Sequence, residues 1–109
     1  MTSFNLSDLA AIIAERAGSS AEKSYTKSLL DAGIHRVAKK FGEEAVELVL
    51  AAVDGDDMAL KAEAADVLYH LLVILQARGV SVKDVLIELE GRTKQSGHQE
   101  KASRPASRG

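Results

Sequence analysis

The 109-residue sequence contains no cysteine, no tryptophan and a single proline, and aromatic residues make up only 4% of it. Without cysteine, disulfide bonds and thiolate metal sites are excluded. The scarcity of aromatic residues, together with many Ala, Leu, Val and Glu residues, favours helix over strand. Apolar residues account for 46% and charged residues for 28%, which is typical of a globular rather than a disordered chain. One small all-α domain is therefore predicted.

The sequence also lacks a strong charge of either sign and a long hydrophobic run. Its net charge is −2, which argues against general binding to nucleic acid or to an anionic membrane. The apolar run Leu71–Leu75 is far too short to cross a bilayer. The first residues do not show the basic start and apolar core of a secretory signal. We therefore expect no nucleic-acid partner, no membrane partner and a cytoplasmic location.

Helical periodicity recurs between residues that favour helix ends, which predicts four or five helices and no strand. The two longest segments cover residues 34–53 and 57–78, separated by the short connection DGDD. From Ser96 on, no apolar period is seen, so we expect a helical domain over 1–96 and a flexible, basic tail over 97–109. The predicted N-cap residues are Ser7, Ser24, Asp56 and Ser81, and the predicted helix-ending glycines are Gly18, Gly33 and Gly79.

The stretch FGEEAVELVLAAV, Phe41–Val53, combines a strongly apolar pattern with three glutamates. On a helical projection the apolar side chains occupy an arc of roughly 220°, and Glu43, Glu44, Glu47 and Lys40 share a polar stripe only about 100° wide. A surface helix usually has a wider polar face. We therefore expect this helix to pack on at least two sides, with its carboxylates in a groove or at an interface.

The following helix carries a second pair of acidic residues within an apolar run, EAADVLYHLLVIL. Glu63 and Asp66 are spaced i, i+3 and share one face with His70. The apolar surroundings predict that Asp66 is buried, where an unpaired carboxylate would cost several kcal/mol. Because a short connection favours antiparallel helices, Glu44 and Glu47 should face this pair. Such a cluster of oxygen ligands predicts a divalent metal, Mg²⁺ or its substitute Mn²⁺.

Each of these residues also has a less specific explanation. An EExxE pattern alone is typical of a solvated helix face, and a histidine on an apolar face, such as His70, is more often packed in the core than a ligand. Lys40 is spaced to pair with Glu44 at i, i+4. A di-iron carboxylate bundle needs a Glu-x-x-His pair from each of two helices and is disfavoured, because His70 follows Asp66 by four residues and no Glu-x-x-His pair is present. A helical interaction module without catalytic activity stays open on these residues alone.

The motifs GEEAVELVLAA and EAADVLYHLLVIL resemble the EExxE…ExxD signature of the all-α nucleoside triphosphate pyrophosphohydrolases. Within that superfamily, SYTKSLLDAG, KKFGEEAVELVLAA, the stretch from EAADVLYHLLVIL to EGRT, and SGHQEKASR resemble the phosphoribosyl-ATP pyrophosphatases. The resemblance covers roughly residues 6–104. It implies a helical bundle completed by dimerisation. It also implies Mg²⁺-dependent hydrolysis of phosphoribosyl-ATP to phosphoribosyl-AMP and pyrophosphate, the second step of L-histidine biosynthesis. A house-cleaning nucleoside triphosphate pyrophosphohydrolase of the same superfamily is the alternative.

The resemblance also implies roles for individual residues. Four carboxylates correspond to the metal ligands, while Glu43, the first Glu of EExxE, is expected to orient or deprotonate the water. The implied metal ligands are Glu44, Glu47, Glu63 and Asp66, and with Glu43 they form the predicted catalytic set. The phosphates of the substrate need cations, and the predicted substrate-binding residues are Lys27, Lys40, His70, Arg92 and Lys94.

The C-terminal tail, with Lys101 and Arg104, is expected to fold over the bound polyanion. Cutting the chain after Gly97 should then raise KM for phosphoribosyl-ATP several-fold, because one exposed Lys–phosphate contact of about 1 kcal/mol corresponds to roughly a fivefold change. The free energy of unfolding should hardly change. An unchanged KM of the truncated protein would leave the tail without a role in substrate binding.

Overall fold

Five helices form the part of the chain that the computed structural model describes, residues 2–20 and 24–94, and no strand occurs in that part. The predicted all-α fold is therefore confirmed, whereas the predicted tail over 97–109 lies outside the described residues. None of the helices in this part combines the length and the apolar character needed to span a bilayer. The helices are α1 (Leu6–Ala17), α2 (Tyr25–Asp31), α3 (Ile34–Asp54), α4 (Asp57–Arg78) and α5 (Val82–Thr93).

Side-chain caps begin three of the helices where the sequence predicts them. The backbone N–H groups of the first turns donate to Ser24 at 3.1 Å, to Asp56 at 2.8 Å and to Ser81 at 3.1 Å. At the other end of α4, Gly79 adopts the left-handed conformation with φ 70°, which a side chain rarely tolerates. These helix ends depend on local hydrogen bonds and backbone conformation, so the sequence predicts them well.

The N-cap predicted for α1 is wrong. Asn5, not Ser7, begins the helix: its side chain accepts from the backbone N–H of Asp8 at 2.9 Å, and the Asp8 carboxylate accepts from the backbone N–H of Asn5 at 3.0 Å. This reciprocal capping box satisfies two N–H groups, whereas Ser7 could satisfy one. The helix therefore starts two residues earlier in the chain than its apolar pattern indicates.

A tight turn joins α3 to α4 and sets the register between them. The N–H of Gly55 donates to the carbonyl of Ala51 at 2.9 Å. A Cβ atom on Gly55 would lie 2.8 Å from that carbonyl oxygen and 3.3 Å from the Cβ of Ala59. Only glycine fits without moving backbone, so the close approach of the two helices at their connection depends on this residue.

Gly55→Ala is expected to destabilise the protein by about 1–3 kcal/mol, the usual cost of forcing an extra methyl group into a packed site. Gly42 provides a matched control within α3, because a Cβ there meets nothing within 4 Å. Gly42→Ala should stabilise the protein by about 0.5–1 kcal/mol through helix propensity. Urea unfolding of both variants measures the difference, and equal effects of the two substitutions would contradict the role of Gly55.

The hydrophobic core lies where α1, α2 and α4 meet the N-terminal half of α3. Its fully packed members are exposed by 7% or less, and Tyr69 and Leu71 pack against them from α4. The α3–α4 pair makes the most extensive helix contact of the described chain. The buried apolar side chains are Ile13, Leu29, Val37, Leu72 and Val73.

Within residues 2–20 and 24–94 nothing covers the apolar face of the C-terminal half of α3, so its expected packing on at least two sides stays a prediction. Val46, Val49, Leu50 and Val53 are spaced i, i+3, i+4, i+7 and lie on one face, with 57–74% of their surface exposed. We call these four residues the apolar stripe. Single exposed apolar residues are ordinary, but a continuous helical stripe of them is typical of an interaction surface.

Candidate active site

Three carboxylates from the two longest helices converge at one place. Glu44 of α3 and Glu63 and Asp66 of α4 each bring one oxygen to within 4.8 Å of the others. We call these residues the carboxylate triad. The i, i+3 spacing of Glu63 and Asp66 puts both on one face of α4, and the packing of α4 on α3 brings Glu44 opposite them. The predicted convergence of acidic residues across the helix pair is thus seen for these three residues.

The triad fits a divalent metal ion. Glu44 is only 7% exposed, and the Oε2 atom of Glu63 is buried without a hydrogen-bond partner in the described part of the chain. A buried acceptor without a donor is costly unless a cation lies beside it. Carboxylate oxygens are the ligands that Mg²⁺ and Mn²⁺ prefer. The orphaned oxygen points to metal because hydrogen bonds satisfy most buried polar atoms in folded proteins.

Lys40 lies one helical turn before Glu44 and forms an ion pair with it, Nζ to Oε1 3.2 Å. The pKa of Lys40 is raised, first by this hydrogen bond and then by electrostatic interaction with Tyr25 and with Glu44. Lys40 therefore stays charged at neutral pH. It neutralises one of the carboxylates, so it is the i, i+4 partner that the sequence suggests.

Glu47 lies at the edge of the triad rather than within it. The pKa of its carboxyl group is raised, first by a hydrogen bond with Glu44, then by the negative charges of Glu44 and Glu63. The charge of Lys40 opposes this shift. Glu47 is exposed and holds its proton more tightly than an isolated glutamate does. Its predicted role as a fourth metal ligand stays a prediction.

The raised pKa of Glu47 predicts a pH-dependent stability of the metal-free protein. A group with a raised folded-state pKa contributes stability that is present below its unfolded pKa and is lost as pH rises through the folded value. In chelator, Glu47→Gln should therefore gain stability relative to wild type between about pH 4 and about pH 7.

Thermal unfolding at both pH values measures this gain, with Glu15→Gln on α1 as the control that should show no such change. Excess Mg²⁺ should reduce or reverse the difference because bound metal favours ionised carboxylates. A Glu47→Gln difference that is the same at both pH values would contradict the raised pKa.

The expectation that Asp66 is buried is wrong for the single chain, since the residue is exposed. The reason is that the N-terminal half of α4 packs on α3 along one side only, and even Leu68 is 42% exposed there. Glu43 is also exposed and does not belong to the triad. The triad is thus open to solvent on the Asp66 side, which leaves room for a substrate.

His70 is buried behind the triad and links α2 to α4. Its Nδ1–H donates to the carbonyl of Asp66 at 2.7 Å, so in the neutral ring Nε2 can accept from the Tyr25 hydroxyl, 3.4 Å away. Tyr69 adds an edge-on ring contact to His70 and a hydrogen bond to Thr26. Both ring nitrogens have protein partners, as in a packed histidine. The predicted substrate contact of His70 stays a prediction.

A groove of about 810 Å³ lies between α2 and the N-terminal half of α3, and the sequence analysis overlooked most of its residues. It contains the cations of the segment HRVAKK, whose helical spacing would have placed Arg36, Lys40 and Glu43 on one face. We call it the basic groove. Its lining residues are Tyr25, Ser28, Leu29, Ala32, His35, Arg36, Lys39, Lys40 and Glu43.

The other predicted phosphate-binding residues lie elsewhere. Lys27 does not line the groove and pairs with Asp31 at 2.8 Å. Arg92 pairs with Glu88 at 3.6 Å on α5, and Lys94 follows as the C-cap of that helix. Among the helix contacts of α5 in the described chain, the one with α1 is the most extensive, and the predicted substrate contacts of these two residues stay predictions. Lys101 and Arg104 lie outside the described residues.

The α3–α4 hairpin carries converging carboxylates of the kind that bind divalent metal, and it lies beside a groove lined with cations. The family model described as phosphoribosyl-ATP pyrophosphohydrolase matches residues 6–93. The chain belongs to the phosphoribosyl-ATP pyrophosphohydrolase family, which confirms the resemblance seen in the sequence motifs.

Curated relatives agree with the family model over nearly the whole chain. A phosphoribosyl-ATP pyrophosphatase of Methylobacterium radiotolerans is 57% identical over 104 residues, which cover 95% of this chain and 97% of the relative. One of Azorhizobium caulinodans is 57% identical over 102 residues, 94% of each chain. One of Rhizobium johnstonii is 53% identical over 107 residues, 98% of this chain and all of the relative. All three carry the same name.

Proposed function

We propose that this protein hydrolyses the α–β phosphoanhydride of phosphoribosyl-ATP to phosphoribosyl-AMP and pyrophosphate in the cytoplasm, as the second step of L-histidine biosynthesis. The observation that carries the proposal is the carboxylate triad with its orphaned Glu63 oxygen, in a chain of the phosphoribosyl-ATP pyrophosphohydrolase family. The relatives named above bear the same activity in their names. Three carboxylates held this close together, one of them buried, repel one another unless a cation lies between them.

Glu44, Glu63 and Asp66 would hold Mg²⁺, with Mn²⁺ as a substitute, and Glu47 would complete the site from its edge. Once bound, such an ion neutralises phosphate oxygens and lowers the pKa of coordinated water. Without it, the triphosphate and the triad would repel each other. The exposed side of Asp66 faces the solvent from which the substrate enters.

In this proposal Glu43 handles the proton of the attacking water, a role supported by its exposure and by its position in the lining of the groove next to the triad. Water adds across the anhydride: one phosphorus–oxygen bond forms, and the bond to the bridging oxygen breaks. Glu43 accepts the proton that the water loses. Lys40, which stays charged beside Glu44, offsets the negative charge that the phosphates bring.

A second copy of the chain would complete the bundle. The apolar stripe of Val46, Val49, Leu50 and Val53 has no cover in the described chain, and it lies on the same helix as Glu44. A symmetric pair would bury the stripe against its own counterpart, the commonest solution among soluble oligomers. We therefore propose a homodimer whose interface runs close to the triad.

Release of pyrophosphate from phosphoribosyl-ATP, compared with release from ATP and from deoxynucleoside triphosphates, tests the activity. We expect efficient, Mg²⁺-dependent release from phosphoribosyl-ATP and at least about tenfold lower kcat/KM with the others. Similar rates with all triphosphates would instead support a house-cleaning pyrophosphohydrolase. No release from any of them, with no Mg²⁺ affinity, would support a helical interaction module.

A further inference from the structure

The basic groove continues the triad along one face of α3. Arg36, Lys40 and Glu47 are separated by four and seven residues, so they follow one another along the same side of the helix. Cations occupy the N-terminal part of this face, and carboxylates occupy the part that adjoins the triad. A substrate lying along this face would contact the metal ligands at one end and the cations Arg36 and Lys39 at the other.

Arg36 and Lys39 are the groove cations for which the described part of the chain shows no ion pair. Neither forms an ion pair within residues 2–20 and 24–94, whereas Lys40 is paired with Glu44. Both are exposed and line the groove. Together with Lys40 they outnumber the single carboxylate of the lining, Glu43, by three to one. Such an excess of cations in a concave site, two of them without an ion pair in the described residues, favours a phosphate group as the ligand.

A phosphate bound in the basic groove would lie too far from the triad to be one of the phosphates bound at the metal site. Arg36 precedes Glu44 by eight residues, which is about 12 Å along the helix at 1.5 Å per residue. A pyrophosphate held at the triad is too short to reach that far. In phosphoribosyl-ATP, however, a second phosphate is carried on the added ribose, separated from the triphosphate by the adenosine. Its spacing from the scissile bond suits the far end of the groove.

We propose that Arg36 and Lys39 bind the ribose 5-phosphate group of the substrate and thereby distinguish phosphoribosyl-ATP from ATP. The assignment rests on the proposed function for the identity of the substrate. Tyr25 and His35 form the wall of the same groove. Tyr25 hydrogen-bonds to His70, and His70 donates to the carbonyl of Asp66. These two bonds connect the wall of the groove to the triad.

The double variant Arg36→Gln/Lys39→Gln tests the assignment by calorimetric titration in Mg²⁺ with phosphoribosyl-AMP, AMP and pyrophosphate. Wild type should bind phosphoribosyl-AMP at least about tenfold more tightly than AMP, and the variant should lose that preference, since a hydrogen-bonded contact to a charged group contributes about tenfold or more. Pyrophosphate affinity should be unchanged. Arg78→Gln, at an exposed cation in the last turn of α4 outside the groove, is the matched control.

Two results would overturn the assignment. Equal weakening of pyrophosphate and phosphoribosyl-AMP would place the leaving group in the groove, and an unchanged preference for phosphoribosyl-AMP would leave the groove without a role. An unchanged melting temperature verifies that the double variant folds. If the double variant does not fold, the single variant Lys39→Gln is used in its place.

Titration with ribose 5-phosphate in excess chelator separates this proposal from the proposed function, because the groove binds through protein cations rather than through metal. Binding that depends on Arg36 and Lys39 but not on metal supports the groove assignment, even if phosphoribosyl-ATP is not hydrolysed. The contrary outcome is efficient hydrolysis of phosphoribosyl-ATP by a protein whose binding of ribose 5-phosphate does not depend on Arg36 and Lys39. That outcome would disprove the groove assignment and leave the proposed activity unaffected.

Discussion

Asp66→Asn, Glu44→Gln and Glu63→Gln should each lower kcat for phosphoribosyl-ATP by about 100-fold or more, the scale on which losing one transition-state charge contact acts. Each substitution keeps the shape of the side chain and removes one negative charge from the triad. The fold should survive, because the three carboxylates repel one another in the absence of metal. In chelator the variants should therefore be at least as stable as the wild type.

Metal dependence provides the second readout of the same substitutions. Excess chelator should abolish wild-type activity, and Mg²⁺ or Mn²⁺ should restore it whereas Na⁺ should not. Mg²⁺ should also raise the melting temperature of the wild type and not of the Asp66→Asn variant. Glu15→Gln on α1 should behave as the wild type in both measurements. Undiminished turnover in excess chelator, or a near-normal rate of the Asp66→Asn variant, would disprove the metal role.

Val49→Asp/Val53→Asp is expected to abolish the dimer. In one chain these side chains are 58% and 74% exposed, so the charges are tolerated there, but a symmetric contact would bury four carboxylates against one another. Sedimentation equilibrium should find the wild type dimeric at micromolar concentration and the double variant monomeric. Activity should fall with the dimer, since the apolar stripe lies on the helix that carries Glu44.

Phe4→Asp is the matched control for this substitution, because Phe4 is 54% exposed, precedes α1 and does not belong to the apolar stripe on α3. It should leave both the dimer and the activity intact. A wild-type chain that sediments as a folded monomer at micromolar concentration would contradict the proposed assembly. So would a double variant that keeps its dimer.

The helices were predicted with good accuracy from sequence because their ends depend on neighbouring residues. Asp56 and Ser81 begin helices and Gly79 ends one, each through hydrogen bonds to groups within a few residues. Such local signals can be recognised in the sequence. The N-cap of α1 was the exception. Asn5 and Ser7 are both good caps, and only the reciprocal bond with Asp8 favours Asn5.

The candidate site could be predicted in part. The i, i+3 pairs and the short connection between α3 and α4 were enough to bring Glu44, Glu63 and Asp66 to one place, because helical spacing and chain connectivity constrain them. The burial of Asp66 was not predictable in the same way. It depends on what packs against α4, and a single sequence pattern does not say whether that cover comes from the same chain or from a partner.

The sequence by itself determined the helical class, most helix ends and the pair of acidic motifs, all of which follow from local hydrogen bonds and from periodicity. Only the tertiary structure decided three other features: that Glu43 and Glu47 lie outside the triad, that α2 and α3 enclose a groove around Arg36, and that none of the described residues covers the apolar stripe. The physical reason is that the rotation of each helix about its axis results from many packing contacts at once, and no spacing along the chain encodes it alone.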